Sequence, residues 1–301
     1  MKNKIVVIGS SNTDMVLKTD RFPKPGETIL GGDFFVFQGG KGANQAVAAA
    51  RLGGNVSFIC KVGSDSFGSD AIIQYRNDGI DIRGIIKDVT APTGVAIITI
   101  NKEGENSIIV ASGANALLSV DDIKKADGIL ADAGWLITQL ETPLPVVNYL
   151  SDYAKQHKVN FVLNPAPAAS LPDTIYDGLF LITPNESETE LLTGIKVADQ
   201  RSAQKATAVF KTKGVYNVII TLGSRGAYVD TKEFQGIIES IKVKAVDTTA
   251  AGDVFNAALV VALAEERSWK ESVQFACRAA AVSVTKMGAQ SSAPTRKELS
   301  D

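Results

Sequence analysis

The chain reads as an α/β protein: three layers, with a mainly parallel central sheet flanked by helices and a small β-sheet lid, forming one domain over residues 1–301. Two observations predict this. Short runs of Val, Ile, Leu and Phe, apolar at nearly every position rather than every second one, alternate with segments of helical period. A strand apolar on both sides must be covered on both faces, and crossover helices do that. Two other stretches break the rhythm with strand-like residues and tight turns, and neither has room for a crossover helix.

The elements follow in order. "KIVVIG", "VSFICKVG", "GWLITQL", "NFVLNP", "LFLITP" and "NVIITLG" predict buried strands. Between them, "NQAVAAARLG", "DSFGSDAIIQYRNDG", "PLPVVNYLSDYAKQH", "ESETELLTG" and "RSAQKATAVFKTKG" predict helices, several closed by Gly. "GDVFNAALVVALAEER" and "WKESVQFACRAAAVSVTKMG" predict two consecutive helices at the end. The breaks lie at about 15–37, with turns at Pro23, Pro25 and Gly31-Gly32, and at 93–110, a hairpin around "NKEGEN". As a small sheet these would leave one apolar face uncovered, to close over a ligand, meet another subunit, or both.

Bulk properties exclude several classes. The 301 residues are 45% hydrophobic and 21% charged, and 31 Lys and Arg stand against 33 Asp and Glu, so no basic excess points to nucleic acid or a membrane surface. The N-terminal apolar run ends in Gly-Ser-Ser-Asn, a strand and loop rather than a signal peptide, and "AALVVALA" is too short to span a bilayer. Cys60 and Cys277 have no metal or disulfide spacing, which suits a reducing cytoplasm. The single histidine, His157, near a helix end, leaves no multi-His metal site and reads as a surface residue.

Ligands of open α/β sheets bind at the carboxyl ends of strands, so the motifs are sought there. After the first strand, "GSSNTD" places Asn12 and Asp14 on one side of an extended segment, suited to hydroxyls, or else to Asx turns. "FQGGKGANQA" surrounds Lys41 with Gly39, Gly40 and Gly42 and starts a helix near Ala43, with Asn44 in its first turn. It is not a Walker A loop, since Phe35 and Gly42 stand where Gly and Ser or Thr are needed. In "TPNESE", Asn185 and Glu188 form either a capping box or a site for Mg²⁺ through water. "TLGSRG" offers Thr221, Gly223, Ser224, Arg225 and Gly226 as a tight turn or a nucleotide contact.

"VDTTAAGDVFNAA" adds the chemistry. Ala250, Ala251 and Gly252 can turn successive N–H groups towards one anion at a helix start, with Asp253 beside it as cap or as base. Phosphoryl transfer needs this pairing of N–H groups with a carboxylate that takes a hydroxyl proton. An Asp near its usual pKa of about 3.9 is a weak base, yet a loose transition state asks little of it, and no histidine is required.

On "GGKGANQA", "VDTTAAGDVFNAA", "TPNESE" and "TLGSRG", and in register "NTD", "PGET", "EGEN", "QLE", "NPAPA" and "KMGAQSSAP", the chain resembles the ribokinase-like (pfkB-type) carbohydrate kinases over nearly its whole length. The resemblance implies an ATP-dependent kinase acting on O5 of D-ribose, or the same chemistry on 2-deoxyribose, another sugar or a nucleoside. A non-catalytic sugar binder would have no use for Asp253 behind an anion loop. The resemblance makes Asp253 the base and residues 250–252 the anion hole, and gives the sugar to Asn12, Asp14, Gly40, Lys41, Gly42, Asn44, Glu141 and Asp253. It assigns ATP to Asn185, Thr221, Gly223, Ser224, Arg225, Gly226, Gly252 and Cys277, and Mg²⁺ to Glu188 with Asn185. It implies a monovalent cation, K⁺, at Asp247, Thr249, Ser283, Lys286, Gly288 and Ser292, several through backbone carbonyls, and a homodimer through the lid. Thr249 and Ala257 depart from its pattern, where a larger aliphatic residue and Gly are expected, but neither is a side-chain catalyst.

Overall fold

The computed structural model describes residues 2–299. In chain order its elements are β1 (Lys4–Ile8), β2 (Asn12–Lys18), β3 (Asp33–Gly39), α1 (Lys41–Arg51), β4 (Asn55–Gly63), α2 (Ser66–Asn77), β5 (Ile85–Asp88), β6 (Gly94–Ile100), β7 (Asn106–Ala111), α3 (Val120–Lys125), α4 (Asp127–Leu130), β8 (Trp135–Thr138), α5 (Leu144–His157), β9 (Asn160–Leu163), α6 (Asp173–Tyr176), β10 (Leu181–Ile182), α7 (Glu186–Thr193), α8 (Gln200–Thr212), β11 (Asn217–Thr221), β12 (Ala227–Asp230), β13 (Gln235–Ile238), α9 (Ala251–Ala264) and α10 (Trp269–Ser283).

Nine strands form the main sheet in the order β13-β12-β11-β10-β9-β8-β1-β4-β5. From β11 to β5 every pairing is parallel, while β12 and β13 add an antiparallel edge. The uniformly apolar strands divide their side chains between two cores, as the period of two requires. Ile5 and Val7 of β1 pack with α1, α2, α9 and α10, while Val6 and Ile8 pack with α3 to α6 and α8 on the other face. Each fully buried Val, Leu or Ile is worth about 1.5–3 kcal/mol, so both helical layers are held by the strands themselves. The three-layer α/β architecture is therefore as expected.

The second sheet has four strands in the order β3-β2-β6-β7. It draws its strands from the two stretches expected to form a small sheet, about 15–37 and 93–110, but begins earlier, at Asn12. Asn, Thr and Asp are weak strand formers. Pairing on both sides, with Gly39 to Asp33 of β3 and Gly94 to Ile100 of β6, overrides that preference. In this register Asn12, Asp14 and Val16 share one side of β2 with Phe37 and Phe35, while Met15 and Leu17 share the other with Val36, Phe34 and Ile97.

The chain leaves β1 for β4 on one side and returns through β8 on the other, so the strand order reverses beside β1. A crevice outside the carboxyl ends of the strands is expected at such a reversal. At this edge Asp65, Asn185 and Asp199 cap α2, α7 and α8 with side-chain hydrogen bonds. Helix α1 opens on Glu141 and Ser10, which take the Lys41, Gly42 and Ala43 N–H groups. Helix α9 has no side-chain cap, and an N-terminus of that kind can face a ligand. His157 closes α5 with its ring stacked on Tyr153, 4.1 Å between centroids, in keeping with a helix-surface residue. Among the described residues no helix is long and apolar enough to cross a membrane.

Candidate active site

The N-termini of α1 and α9 meet at the crevice. Gly40 enters α1 at φ 88°, a left-handed conformation, and a Cβ there would stand 2.8 Å from the Asn12 nitrogen. Only glycine meets both conditions. The helix begins at Lys41, two residues before the expected Ala43, because Gly42 is tolerated in the first turn. Lys41 N–H donates to Glu141 at 3.0 Å, and the Ser10 hydroxyl donates to the same Glu141 oxygen. Strand ends β1 and β8 and helix α1 are thus joined at one carboxylate.

Ala250 holds the left-handed conformation at φ 60° and opens α9. For a residue with a Cβ this costs on the order of 1–3 kcal/mol and is most often seen at functional sites. Of the first N–H groups of the helix, Ala251 bends back to the Thr248 carbonyl at 3.3 Å, while Gly252 is exposed with open space where a Cβ would stand.

Asp253 is the third residue of α9 and does not cap it. Its carboxylate, 5% exposed, instead crosses to α1: Oδ2 accepts from Asn44 Nδ2 at 2.9 Å and Oδ1 from Gln45 Nε2 at 3.0 Å. Burial raises its pKa, and Lys41 and the two amides oppose that rise. Asp253 is therefore a stronger base than an ordinary aspartate, against the expectation that it stays near its usual value. Asn44 Oδ1, forced to the far side of its amide, is buried and has no partner.

The other expected sugar residues converge here. Asp14 is pushed up to about 7, first by burial and then by Glu141, with Lys41 opposing and Asp253 adding to the rise. Burial would lower Lys41, but Asp253, Glu141, Glu188 and Asp14 together hold it above its ordinary value. One ammonium thus sits among four carboxylates. Asn12 accepts at Oδ1 from Asn115 Nδ2 at 2.7 Å.

A polar network absent from the sequence reading backs the site. Gln139 donates to Gln45 at 2.7 Å; Gln45 donates to Asn164 at 3.1 Å as well as to Asp253; Asn164 donates to the Thr183 carbonyl at 3.3 Å; and the Thr183 hydroxyl donates to Asn256. Asn164 and Thr183 are each the first polar residue after an apolar strand run, and Gln139 is the second, after Thr138, so the strand-end rule applied to every strand would have found them.

Asn185 and Glu188 do form the capping box: Asn185 Oδ1 accepts from Glu188 N at 2.8 Å and Glu188 Oε2 from Asn185 N at 2.8 Å. The box leaves Glu188 buried, its pKa raised by that burial and opposed by Lys41. A buried carboxylate keeps spare lone pairs, the oxygen chemistry a hydrated divalent cation takes. Asn185 is also bridged to Thr221, which brings the two motifs together. Residues 223–225 make a single tight turn into β12, and a Cβ on Gly226 would lie 2.0 Å from the Ile238 carbonyl. The turn reading is thus correct, while Gly223 and Ser224 remain exposed beside it and Arg225 pairs with Glu186. Cys277 is packed in the core with α9, its thiol pushed up to about 11 by burial.

The expected cation residues divide. Asp247 takes Thr249 N and Oγ1 on Oδ1, at 2.9 and 2.6 Å, and Gly288 N on Oδ2 at 2.9 Å. Burial would raise its pKa, but these bonds hold it below the ordinary range. Lys286 sends its ammonium to Glu298, and the Ser283 and Ser292 hydroxyls turn to Ala280 and Ala289 carbonyls. At Lys286 the backbone carbonyl is the one oxygen to offer, while Ser283 and Ser292 keep lone pairs on both hydroxyl and carbonyl.

Residues 2–296 match the pfkB family of carbohydrate kinases. The chain is 48% identical over 298 residues to a ribokinase of Haemophilus influenzae, covering 99% of this chain and 97% of that one. Among solved structures it resembles the ribokinase of Thermotoga maritima, with a TM-score of 0.88 and 42% identity over 98% and 97% of the two chains. It also resembles Arabidopsis thaliana ribokinase complexed with ribose and ATP, with a TM-score of 0.91 and 32% identity over 99% and 98%.

Proposed function

The chain belongs to the pfkB family of carbohydrate kinases and is an ATP-dependent sugar kinase, and from that premise we propose that it transfers the terminal phosphoryl group of ATP to O5 of D-ribose, giving D-ribose 5-phosphate. The single observation that carries the chemistry is Asp253. It is a buried carboxylate turned away from capping its own helix and held on both oxygens, beside the uncapped N-terminus of α9.

Asp253 takes the hydroxyl proton as the sugar oxygen attacks. Proton transfer late in a loose transition state suits a carboxylate whose basicity burial has raised. The N–H groups around Ala250–Gly252 face the transferred phosphoryl group and stabilise its charge. Asn12, Asp14, Gly40, Lys41, Gly42, Asn44 and Glu141 hold the sugar: Asp14 and Glu141 accept from hydroxyls, Lys41 donates, and Asn44 offers its unpartnered Oδ1. ATP lies along Asn185, Thr221 and the 223–226 turn, with α10 and Cys277 on the adenine side. Glu188, with Asn185, would hold Mg²⁺ through water, and the ion supplies charge neutralisation on the phosphates. Asp247 and the carbonyls of residues 283–292 would hold K⁺ next to the anion hole.

The outer side of the lid carries Leu17, Phe34, Val36, Ile97 and Ile109, the last 70% exposed. A contiguous apolar face of this kind suits a homodimer through the lid. The two free buried cysteines suit a cytoplasmic setting.

The test is phosphoryl transfer from ATP to ribose, 2-deoxyribose, other pentoses, fructose and nucleosides. Ribose should give the highest kcat/KM. Preference for deoxyribose or a nucleoside would move the substrate within the family, and no turnover on any sugar would overturn the kinase reading. Asp253→Asn should lose roughly 10²–10⁴-fold in kcat.

A further inference from the structure

Asp253 is held from behind by a side chain that touches neither sugar nor nucleotide in the reading above. Gln45 Nε2 donates to Asp253 Oδ1 at 3.0 Å and to Asn164 Oδ1 at 3.1 Å, and Gln45 Oε1 accepts from Gln139 Nε2 at 2.7 Å. Gln45 is fully buried. Its orientation is not arbitrary. A carboxylate only accepts, so the nitrogen end must face Asp253, and both of its N–H groups are then spent. The oxygen end is left to Gln139. Asn44 is fixed by the same logic on Oδ2, but its buried Oδ1 has no partner, whereas Gln45 has no hydrogen-bonding capacity left for a substrate beyond one oxygen lone pair.

We propose that Gln45 is a positioning residue for the phosphoryl-transfer step. It fixes the Asp253 carboxylate in one rotamer and reserves Oδ2, the oxygen shared with Asn44, for the sugar hydroxyl. This deepens the kinase reading and rests on it.

The charged groups facing Asp253 are Lys41 from α1, Glu141 after β8, Asp14 from β2 and Glu188 from α7. Three of the four are acidic. Without a donor on Oδ1, the ionised form of Asp253 loses a stabilising hydrogen bond while its acidic neighbours remain. The base would then hold its proton to a higher pH.

The experiment compares wild-type protein with Gln45→Leu and the isosteric Gln45→Glu, each checked for a cooperative thermal transition. Steady-state kinetics with D-ribose and ATP are run from pH 5 to 9. Wild-type turnover of ribose tests the kinase reading itself; the variants are read only relative to it. Gln45→Leu should lose kcat by roughly 10-fold or more with KM for ribose changed less than about threefold, and the acid limb of its kcat profile should move to higher pH. In Gln45→Glu a second carboxylate against Oδ1 should move that limb further in the same direction. If Gln45→Leu does not fold, Gln45→Glu decides alone. An unmoved acid limb in the folded variants, or a loss confined to KM, would overturn the proposal.

Discussion

Asn115 donates from Nδ2 to Asn12 Oδ1 at 2.7 Å and is itself locked by the backbone of Ser11, accepting from its N–H at 2.9 Å and donating to its carbonyl at 3.1 Å. The Asn12 amide therefore has its nitrogen left to offer. In the proposed sugar site Asn12 would be a donor next to Asp14, an acceptor, so the two would read opposite ends of neighbouring hydroxyls. Asn115→Leu should raise KM for ribose by roughly 10-fold, the worth of one buried hydrogen bond of about 1–2 kcal/mol, and leave kcat nearly unchanged. Steady-state kinetics check this; an equal fall in kcat would show that Asn115 only supports the fold.

Asp14 sets a pH signature for stability. Its pKa is raised to about 7 in the folded protein from 3.8, with burial the largest cause. A carboxyl raised on folding favours the folded state fully below its unfolded pKa, and that contribution disappears as pH rises through the folded pKa. Between about pH 4 and pH 7 the ligand-free protein should therefore lose stability, by at most about 4 kcal/mol from this group. Scanning calorimetry across this window should show Tm falling, and Asp14→Asn should flatten the slope.

Asp247 ties the segment before α9 to Gly288 at 2.9 Å, joining the loop that enters α9 to the loop after α10. If K⁺ is held there as proposed, replacing it by tetramethylammonium should lower kcat several-fold in the wild-type protein. Asp247→Ala should have low activity and no remaining K⁺ response. An Asp247→Ala variant that still responds to K⁺ would place the ion elsewhere.

On the lid, Ile109 and Phe34 lie on the outer apolar side, 70% and 61% exposed. If the proposed lid interface forms, the wild-type protein should run as a dimer by light scattering at micromolar concentration, and introducing a charge by Ile109→Lys should yield a monomer. A wild-type monomer would remove the interface.

The sheet was legible because strands buried on both faces cannot hide their composition: Ile5 to Ile8 are apolar at every position and completely buried. The site was legible where glycines and a lone carboxylate interrupt that pattern, as at Gly40 and Asp253. What escaped was set by tertiary pairing. Asn12 and Asp14 suit an extended segment or Asx turns by sequence alone, and the small sheet was expected only from residue 15, yet two neighbouring strands draw them into β2. Gln45 reads as one polar residue in an alanine-rich helix, and its role depends on Asp253, which lies 208 residues away in sequence. Strand β5 and the short helices α3, α4 and α6 are too brief to show a period, and the edge strand β13 has no signal of its own.

Strand β2 is a single layer of backbone with Asn12 and Asp14 on one side and Met15 and Leu17 on the other. If the Leu17 side meets a second copy, the carboxylate reading the sugar and the contact joining the subunits share the same peptide units. Linkage then runs both ways: whatever affinity association adds for the sugar, the sugar must add for association. Dilution would appear in an assay as a weaker sugar site, and saturating sugar would appear in a sedimentation profile as a tighter pair.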